Sequence, residues 1–148
     1  SLFSVLGLIV LAGVFMSTSG IYPLSMGLHD ATYQEHGFAL SGYDAVAYHL
    51  DGTASKGNSE FSTMWNNVKW QFNSQAHLDS FKVKPTAYAP QNGGYCSFAV
   101  SKGFTAPGNP ESWYIEGGKL YILHDADVKT EFLADKENIL KAVKENWK

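Results

Sequence analysis

The chain has 148 residues, 45% of them hydrophobic and 14% aromatic, which suits one globular domain with its own hydrophobic core. Its formal net charge is −3, and all eleven basic residues are lysines. Nucleic-acid-binding proteins usually carry a basic surface with arginines for the phosphates, so this composition argues against a nucleic-acid partner. The single cysteine excludes an internal disulfide, so packing has to hold the fold together.

The N-terminal segment is uncharged through residue 28, and residues 2–16 are almost entirely apolar. As a helix, residues 2–16 would span roughly 22 Å, less than the ~30 Å hydrocarbon core of a membrane. This length is typical of the apolar part of a secretory signal, and residues 17–20 could form its cleavage site. The basic residues that usually precede the apolar part are missing. Including residues 21–26 would lengthen the segment enough to span a membrane. We therefore predict a signal or membrane anchor over residues 1–28, in preference to a buried core helix.

The polar residues 29–38 predict a linker, and residues 39–148 predict the folded domain. Within that domain, residues 46–50 favour a β-strand and residues 51–59 a loop. Residues 65–72 predict a β-hairpin that turns at two consecutive asparagines, with alternating apolar side chains on the second strand.

A helix is predicted after this hairpin, with Ser74 as its N-cap and Pro85 as its end. A second hairpin is predicted from residues 112–116 and 119–123, because the intervening pair Gly117-Gly118 favours a type I′ turn. A long amphipathic helix over residues 127–147 then closes the chain. The fold class is therefore α+β, with short β-hairpins and packed helices that follow an N-terminal hydrophobic helix.

A resemblance rests on three consecutive stretches: SGYDAVAYH, WQFNSQAHLDSFKVKPTAY and APQNGGYCSFAVSKGF. Together with the following hairpin and helix, they make residues 39–147 resemble exported YHS-domain proteins. The resemblance implies a small YHS/TRASH-like domain with a metal-related role. Related modules in heavy-metal pumps carry cysteines one and five residues after a phenylalanine. The matching positions after Phe72 are Asn73 and His77, so this chain lacks that thiolate pair.

Cys96, the only thiol, follows the flexible pair Gly93-Gly94. If a helix begins directly after Cys96, its dipole is expected to lower the pKa of the thiol and favour the thiolate, which binds soft metals or attacks electrophiles. The alternative is a small buried side chain, since free cysteines are among the most buried residues. The sequence leaves packing, metal ligation and reactivity open.

The five histidines contain no pair at the i,i+4 spacing of a helical metal site, so any site has to assemble across the fold. His77 is the first candidate because it occupies the position where relatives carry a ligand, and His49 is the second. With Cys96, they form the predicted metal site, for copper or zinc. His124 is a weaker candidate, and Met64 is expected to be core filler rather than a copper ligand.

Tyr43 and Asp44 belong to the resemblance, and Asp44 is expected to cap or brace a loop rather than to act as a catalytic carboxylate. The sequence contains no complete catalytic motif, so a non-catalytic protein is expected. The main prediction is a metal-binding domain on the periplasmic or extracytoplasmic face of the cell envelope. One alternative is an accessory subunit of a membrane complex, whose interaction surface would include aromatics such as Tyr88, Tyr95, Trp113 and Tyr114. A thiol-dependent enzyme that pairs Cys96 with a histidine is the other alternative.

Overall fold

The computed structural model describes the backbone of residues 2–148 and the side chains of residues 7–148. The first residue of the predicted anchor, and the side chains of its next five residues, lie outside this described part. The helices, in chain order, are α1 (Leu2–Ser19), α2 (Ala45–Leu50), α3 (Gln75–Val83), α4 (Pro85–Tyr88), α5 (Ser97–Ser101), α6 (Ala126–Ala134) and α7 (Lys136–Asn146). The strands are β1 (Tyr22–Pro23), β2 (Gln34–Glu35), β3 (Phe38–Ala39), β4 (Asn58–Trp65), β5 (Val68–Phe72), β6 (Phe104–Thr105), β7 (Asn109–Glu116) and β8 (Lys119–Leu123).

The predicted α+β class is confirmed by this mixture of helices and strands. Helix α1 falls within the segment predicted as a signal or anchor. Across the residues that are described, none of the helices combines the length and the apolar character needed to cross a membrane.

The segment predicted as a linker is hydrogen-bonded to the rest of the domain. Strand β2 pairs antiparallel with β3. The amide of Tyr33 donates to the carbonyl of Gly93 at 2.8 Å, and Thr32 is buried. Further upstream, β1 pairs with β6. The chain is therefore tied into the fold from Tyr22 onward.

The first predicted hairpin is confirmed as β4 and β5, which join β3 and β2 in a sheet of order β2-β3-β5-β4. Asn66 and Asn67 have φ values of 51° and 61°, the left-handed conformation that a type I′ turn requires. On β5, Val68, Trp70 and Phe72 are buried. Helix α3 covers them, with the ring of Phe81 4.9 Å from that of Phe72. This packing forms the first core cluster.

Residues 46–50, predicted as a strand, belong instead to helix α2. Their β-branched and aromatic content favours a strand locally, but Asp44 supplies a helix N-cap, and the apolar side of the helix is buried against β5 and α3. Tertiary packing and capping therefore override the local strand propensity.

The second predicted hairpin is confirmed as β7 and β8, with Gly117 and Gly118 at φ values of 59° and 74°. The single closing helix was a wrong prediction, because α6 and α7 are separated at Asp135. Asp135 has φ −135° and ψ 38°, outside the helical region, and its side chain accepts a hydrogen bond from Asn138. Helices α5, α6 and α7 pack with part of β8 around the second core cluster, which includes Phe132 and Ile139.

Candidate functional site

Asp44 is a carboxylate with no solvent exposure at the junction between α2 and α3. Its Oδ1 accepts hydrogen bonds from the amides of Val46 at 2.8 Å and Ala47 at 3.0 Å, which caps the first turn of α2. Its Oδ2 accepts the amide of Asn73 at 2.9 Å and Nδ1 of His77 at 2.7 Å. Asp44, which was expected to cap or brace a loop, caps helix α2 and also bonds to the backbone just before α3.

His77 is held by bonds on two sides in the first turn of α3. Its amide donates to the hydroxyl of Ser74, the predicted N-cap, and its ring Nδ1 donates to Asp44. The side chain is only 13% exposed. Because Nδ1 keeps its proton and donates it in the hydrogen bond to Asp44, a neutral His77 ring carries its lone pair on Nε2. The ring is therefore fixed in orientation, with one nitrogen available for chemistry.

Asp51 is the group that faces this available nitrogen. Its Oδ2 lies 3.7 Å from Nε2 of His77, and its side chain is 47% exposed. Asp51 caps the C-terminal end of α2, so α2 carries one carboxylate at each end and His77 lies between the two. Sequence reasoning missed Asp51, because the residue stands in a stretch that is typical of a plain turn. The only sequence feature that could have pointed to Asp51 as a ligand is its position two residues after His49.

His49 also lies on α2, but it makes a different set of contacts. Its Nε2 is 3.2 Å from the carbonyl of Tyr88, and its ring stacks edge-on against the Tyr88 ring at 5.5 Å. Burial lowers the pKa of His49, an effect that the bond to the Tyr88 carbonyl partly opposes. These contacts give His49 a packing role between α2 and α4.

Cys96 is 1% exposed and belongs to the second core cluster, among residues such as Val100, Leu123 and Phe132. A helix, α5, does begin directly after Cys96. The expected lowering of the thiol pKa is nevertheless wrong, because desolvation by burial raises that pKa more than the nearby backbone hydrogen bonds lower it. The geometry favours the packed, protonated thiol.

The preceding glycines are part of a tight turn, Gln91–Gly94, rather than a hinge in open space. Gly93 has φ +62°, and a Cβ there would lie 2.0 Å from the carbonyl oxygen of Ala31. Gly94 also has a positive φ and is buried. Gly93 therefore permits a close backbone approach, and the positive φ of Gly94 favours glycine there as well.

The polar groups of Tyr43 and of the weaker candidates make their hydrogen bonds away from the junction of α2 and α3. The Tyr43 hydroxyl donates to Glu111 at 2.6 Å, a bond that raises the pKa of the tyrosine. His124 is exposed and bonds to the carbonyl of Pro107. Met64, expected as core filler, is instead exposed on β4. The four aromatics proposed for an interaction surface are buried or half-buried and pack against the two core clusters: Tyr88, Tyr95, Trp113 and Tyr114.

The predicted trio of Cys96, His77 and His49 is not brought together as a site. Within residues 7–148, no three or more side chains of His, Cys, Asp or Glu are arranged so that they could hold a metal ion. At the junction, the two possible ligand atoms that lie near each other are Nε2 of His77 and Oδ2 of Asp51. Nitrogen and oxygen donors of this kind suit borderline and hard divalent ions rather than a soft ion such as Cu(I).

Comparisons of the chain with protein-family models, with curated proteins and with solved structures found no match.

Proposed function

We propose that this chain is a non-catalytic YHS-like domain that binds a borderline divalent metal, Cu²⁺ or Zn²⁺, through His77 and Asp51. The observation that carries the proposal is the fixed ring of His77, which presents Nε2 to Asp51 while Nδ1 is bonded to a fully buried carboxylate. Histidine ligands in metal sites usually donate their second ring N–H to a carboxylate or carbonyl in this way.

Asp44 would act through His77 and not as a ligand. It fixes the tautomer and the orientation of the ring, so that Nε2 faces Asp51. The two ligands leave most coordination positions to water or to a group from another molecule, which is a suitable arrangement for weak, exchangeable binding. A carrier or accessory role for a metal is therefore better supported than a permanent structural site.

The choice of metal follows from the donors. Cu(I) prefers thiolates, and Cys96 is buried in the second core cluster with a raised pKa. Imidazole nitrogen and carboxylate oxygen suit Cu²⁺ and Zn²⁺ instead. The position of His77 in the resemblance to YHS domains agrees with this proposal.

The test is titration of the full chain with Cu²⁺ and Zn²⁺ by calorimetry, with His77→Gln, Asp51→Asn and two controls, His49→Gln and Cys96→Ala. His77→Gln and Asp51→Asn are each expected to weaken binding by about tenfold or more, while both controls keep the affinity of the unchanged chain. Circular dichroism checks that each variant folds. Equal affinity in His77→Gln and the unchanged chain would refute the proposal, as would a loss confined to Cys96→Ala.

We also propose that the N-terminal segment attaches the domain to a membrane at the cell envelope, where it would serve as an accessory of a membrane complex. In α1, Leu8, Leu11 and Phe15 each expose more than half of their surface, and residues 1–28 carry no charged side chain. An apolar helix surface of this kind favours insertion into a lipid interface.

Flotation of the full chain with phosphatidylcholine vesicles tests the attachment. The double variant Leu8→Glu/Leu11→Glu is expected to stay in the aqueous fraction. Met64→Glu/Val83→Glu, which changes two exposed apolar residues outside α1, should float as the unchanged chain does. If both double variants float equally, α1 is not the attachment segment.

A further inference from the structure

A groove lies on the side of the second core cluster, between α7, β8 and the turn Gln91–Gly94. Its volume is about 510 Å³, within the range of small-molecule sites. None of the residues considered above for metal binding lines it. The groove therefore offers a second place for a ligand, independent of His77 and Asp51.

Three of the eleven lysines converge on this groove: Lys119 from β8, and Lys141 and Lys144 from α7. Lys141 and Lys144 are three residues apart and so share one face of the helix. No aspartate or glutamate is among the lining residues. Over residues 7–148, none of the three lysines forms an ion pair, whereas Lys136 on the same helix pairs with Glu116 at 2.7 Å. A chain of net charge −3 thus concentrates uncompensated positive charge here.

Apolar and aromatic side chains also line the groove. Among them, Val143 and Tyr121 are buried. Trp147 lines it too, with its ring 5.1 Å from the ring of His29 and 6.0 Å from that of Tyr95. These contacts hold the indole in position, so a planar ligand would meet a preformed surface.

Asn92 adds a polar group to the wall of the groove. It is 8% exposed, and its Oδ1 accepts a hydrogen bond from the hydroxyl of Ser97 at 3.0 Å. Its amide NH₂ makes no hydrogen bond to the described part of the chain and is available as a donor. Cationic side chains, one amide donor and an aromatic wall are the features that a negatively charged ligand with an apolar body requires.

We propose that this groove binds a small organic anion, a carboxylate carried on an aromatic or other apolar body. The carboxylate would lie between Lys141 and Lys144, and the apolar body would lie against Tyr121 and Trp147. Longer polyanions are a poor fit, because the lysines cluster at one groove and do not form a stripe, and the chain has no arginine for bidentate contacts to phosphate.

The test uses two probes that differ only in charge, 1-naphthylacetate and 1-naphthylacetamide, with inorganic phosphate as an anion that lacks an apolar body. Binding is followed by amide chemical shifts in NMR spectra of the full chain. Naphthylacetate should bind about tenfold more tightly than either of the other two probes, with the largest shifts at the residues that line the groove. The double variant Lys141→Gln/Lys144→Gln should reduce this affinity by about fivefold or more, since each exposed charge pair contributes modestly.

The matched control is Lys82→Gln/Lys84→Gln, which removes the same charge from the exposed end of α3. It should bind naphthylacetate as the unchanged chain does. Equal affinity for the acid and the amide, an equal loss in both double variants, or shifts located away from α7 and β8 would each overturn the proposal. Absence of naphthylacetate binding at millimolar concentration would overturn it as well.

Discussion

Replacement of Asp44 is the perturbation for which the structure makes the sharpest prediction. Asp44→Ala removes the acceptor for two amides of α2, for the amide of Asn73 and for the ring of His77. Since the carboxylate is fully buried, water cannot replace it without local rearrangement. The variant should therefore lose much more stability than an ordinary helix-cap variant.

The magnitude follows from the contacts. Loss of an N-cap costs about 0.5–2 kcal/mol. Each further hydrogen bond to a charged acceptor contributes about 1.5–3 kcal/mol. The bonds share one carboxylate, so their contributions are not additive. Since the His77 ring is 13% exposed, water restores part of its hydration. We expect a decrease of about 3–5 kcal/mol in the free energy of unfolding, a large part of the ~5–15 kcal/mol typical of a domain.

Asp125→Ala is the matched control. Asp125 also caps a helix, α6, but its side chain accepts only the amide of Val128 in the described chain. Its replacement should cost about 1 kcal/mol. Urea unfolding, followed by tryptophan fluorescence at neutral pH, gives both values from one experiment. Asp44→Asn keeps the shape and one acceptor oxygen, so it should fall between the two and provides a measurement if Asp44→Ala does not fold.

Two results would refute this reasoning. One is a cost for Asp44→Ala that does not exceed that of Asp125→Ala, which would mean that the buried network adds nothing beyond a cap. The other is an equal cost for Asp44→Asn and Asp44→Ala, which would mean that the acceptor oxygen kept in asparagine restores no stability.

Three further predictions concern single residues. Cys96, buried and with a raised pKa, should react with a thiol reagent far more slowly in the native chain than in urea; equal rates would show that it is exposed. Burial lowers the pKa of His49 from its ordinary value of 6.5. As the pH falls, His49 is therefore protonated in the unfolded chain at a higher pH than in the folded chain. The stability that neutral His49 contributes is therefore complete above pH 6.5 and is lost as the pH falls from there through the lower pKa of the folded chain. In unfolding curves measured between about pH 8 and pH 5, His49→Gln should lose less stability than the unchanged chain. Gly108→Ala should cost about 1–3 kcal/mol in urea unfolding, because its Cβ would lie 2.2 Å from the carbonyl oxygen of Gly94, whereas Gly13→Ala, with open space around it, should not destabilise the chain.

The parts of the fold that sequence reasoning predicted correctly are those with a local cause. Asn66-Asn67 and Gly117-Gly118 favour left-handed turn conformations through their own chemistry, and both turns form as expected. Ser74 caps a helix through a bond from the amide of His77, three residues away, as predicted. In each case the signal and the structure that it produces lie within a few residues of each other.

The errors arose where distant contacts decide the structure. Residues 46–50 are helical because their apolar side packs on β5 and α3. The local sequence pattern gives no information about this packing. The break in the closing helix at Asp135 is a different case, because the backbone of Asp135 leaves the helical region and the bond from Asn138 to its side chain is local. The approach of Asp51 to His77 depends on how α2 and α3 pack, so composition and spacing gave no indication of it.

The separation of Cys96 from the histidines has the same origin. His77 and His49 lie on helices that pack with the first core cluster, whereas Cys96 belongs to the second. A sequence that contains one thiol and several histidines suggests a shared site only if the fold brings them together. Each core cluster forms because apolar surface is removed from water, and not because ligands need a certain geometry. Cys96 is therefore buried with its hydrophobic neighbours.

The junction of α2 and α3 joins stability and site chemistry in one carboxylate. Asp44 starts α2 through Oδ1 and orients His77 through Oδ2, so Nε2 acquires its position only when both helices have formed. A metal at Nε2 would therefore bind the folded chain more tightly than the unfolded one, and it would raise stability by mass action. Replacement of Asp44 alters the fold and the ligand together and cannot separate the two roles. His77→Gln removes the ligand while the bonds from Asp44 to α2 and to Asn73 remain, so the loss of metal-dependent stabilisation in that variant distinguishes a ligand from a structural histidine.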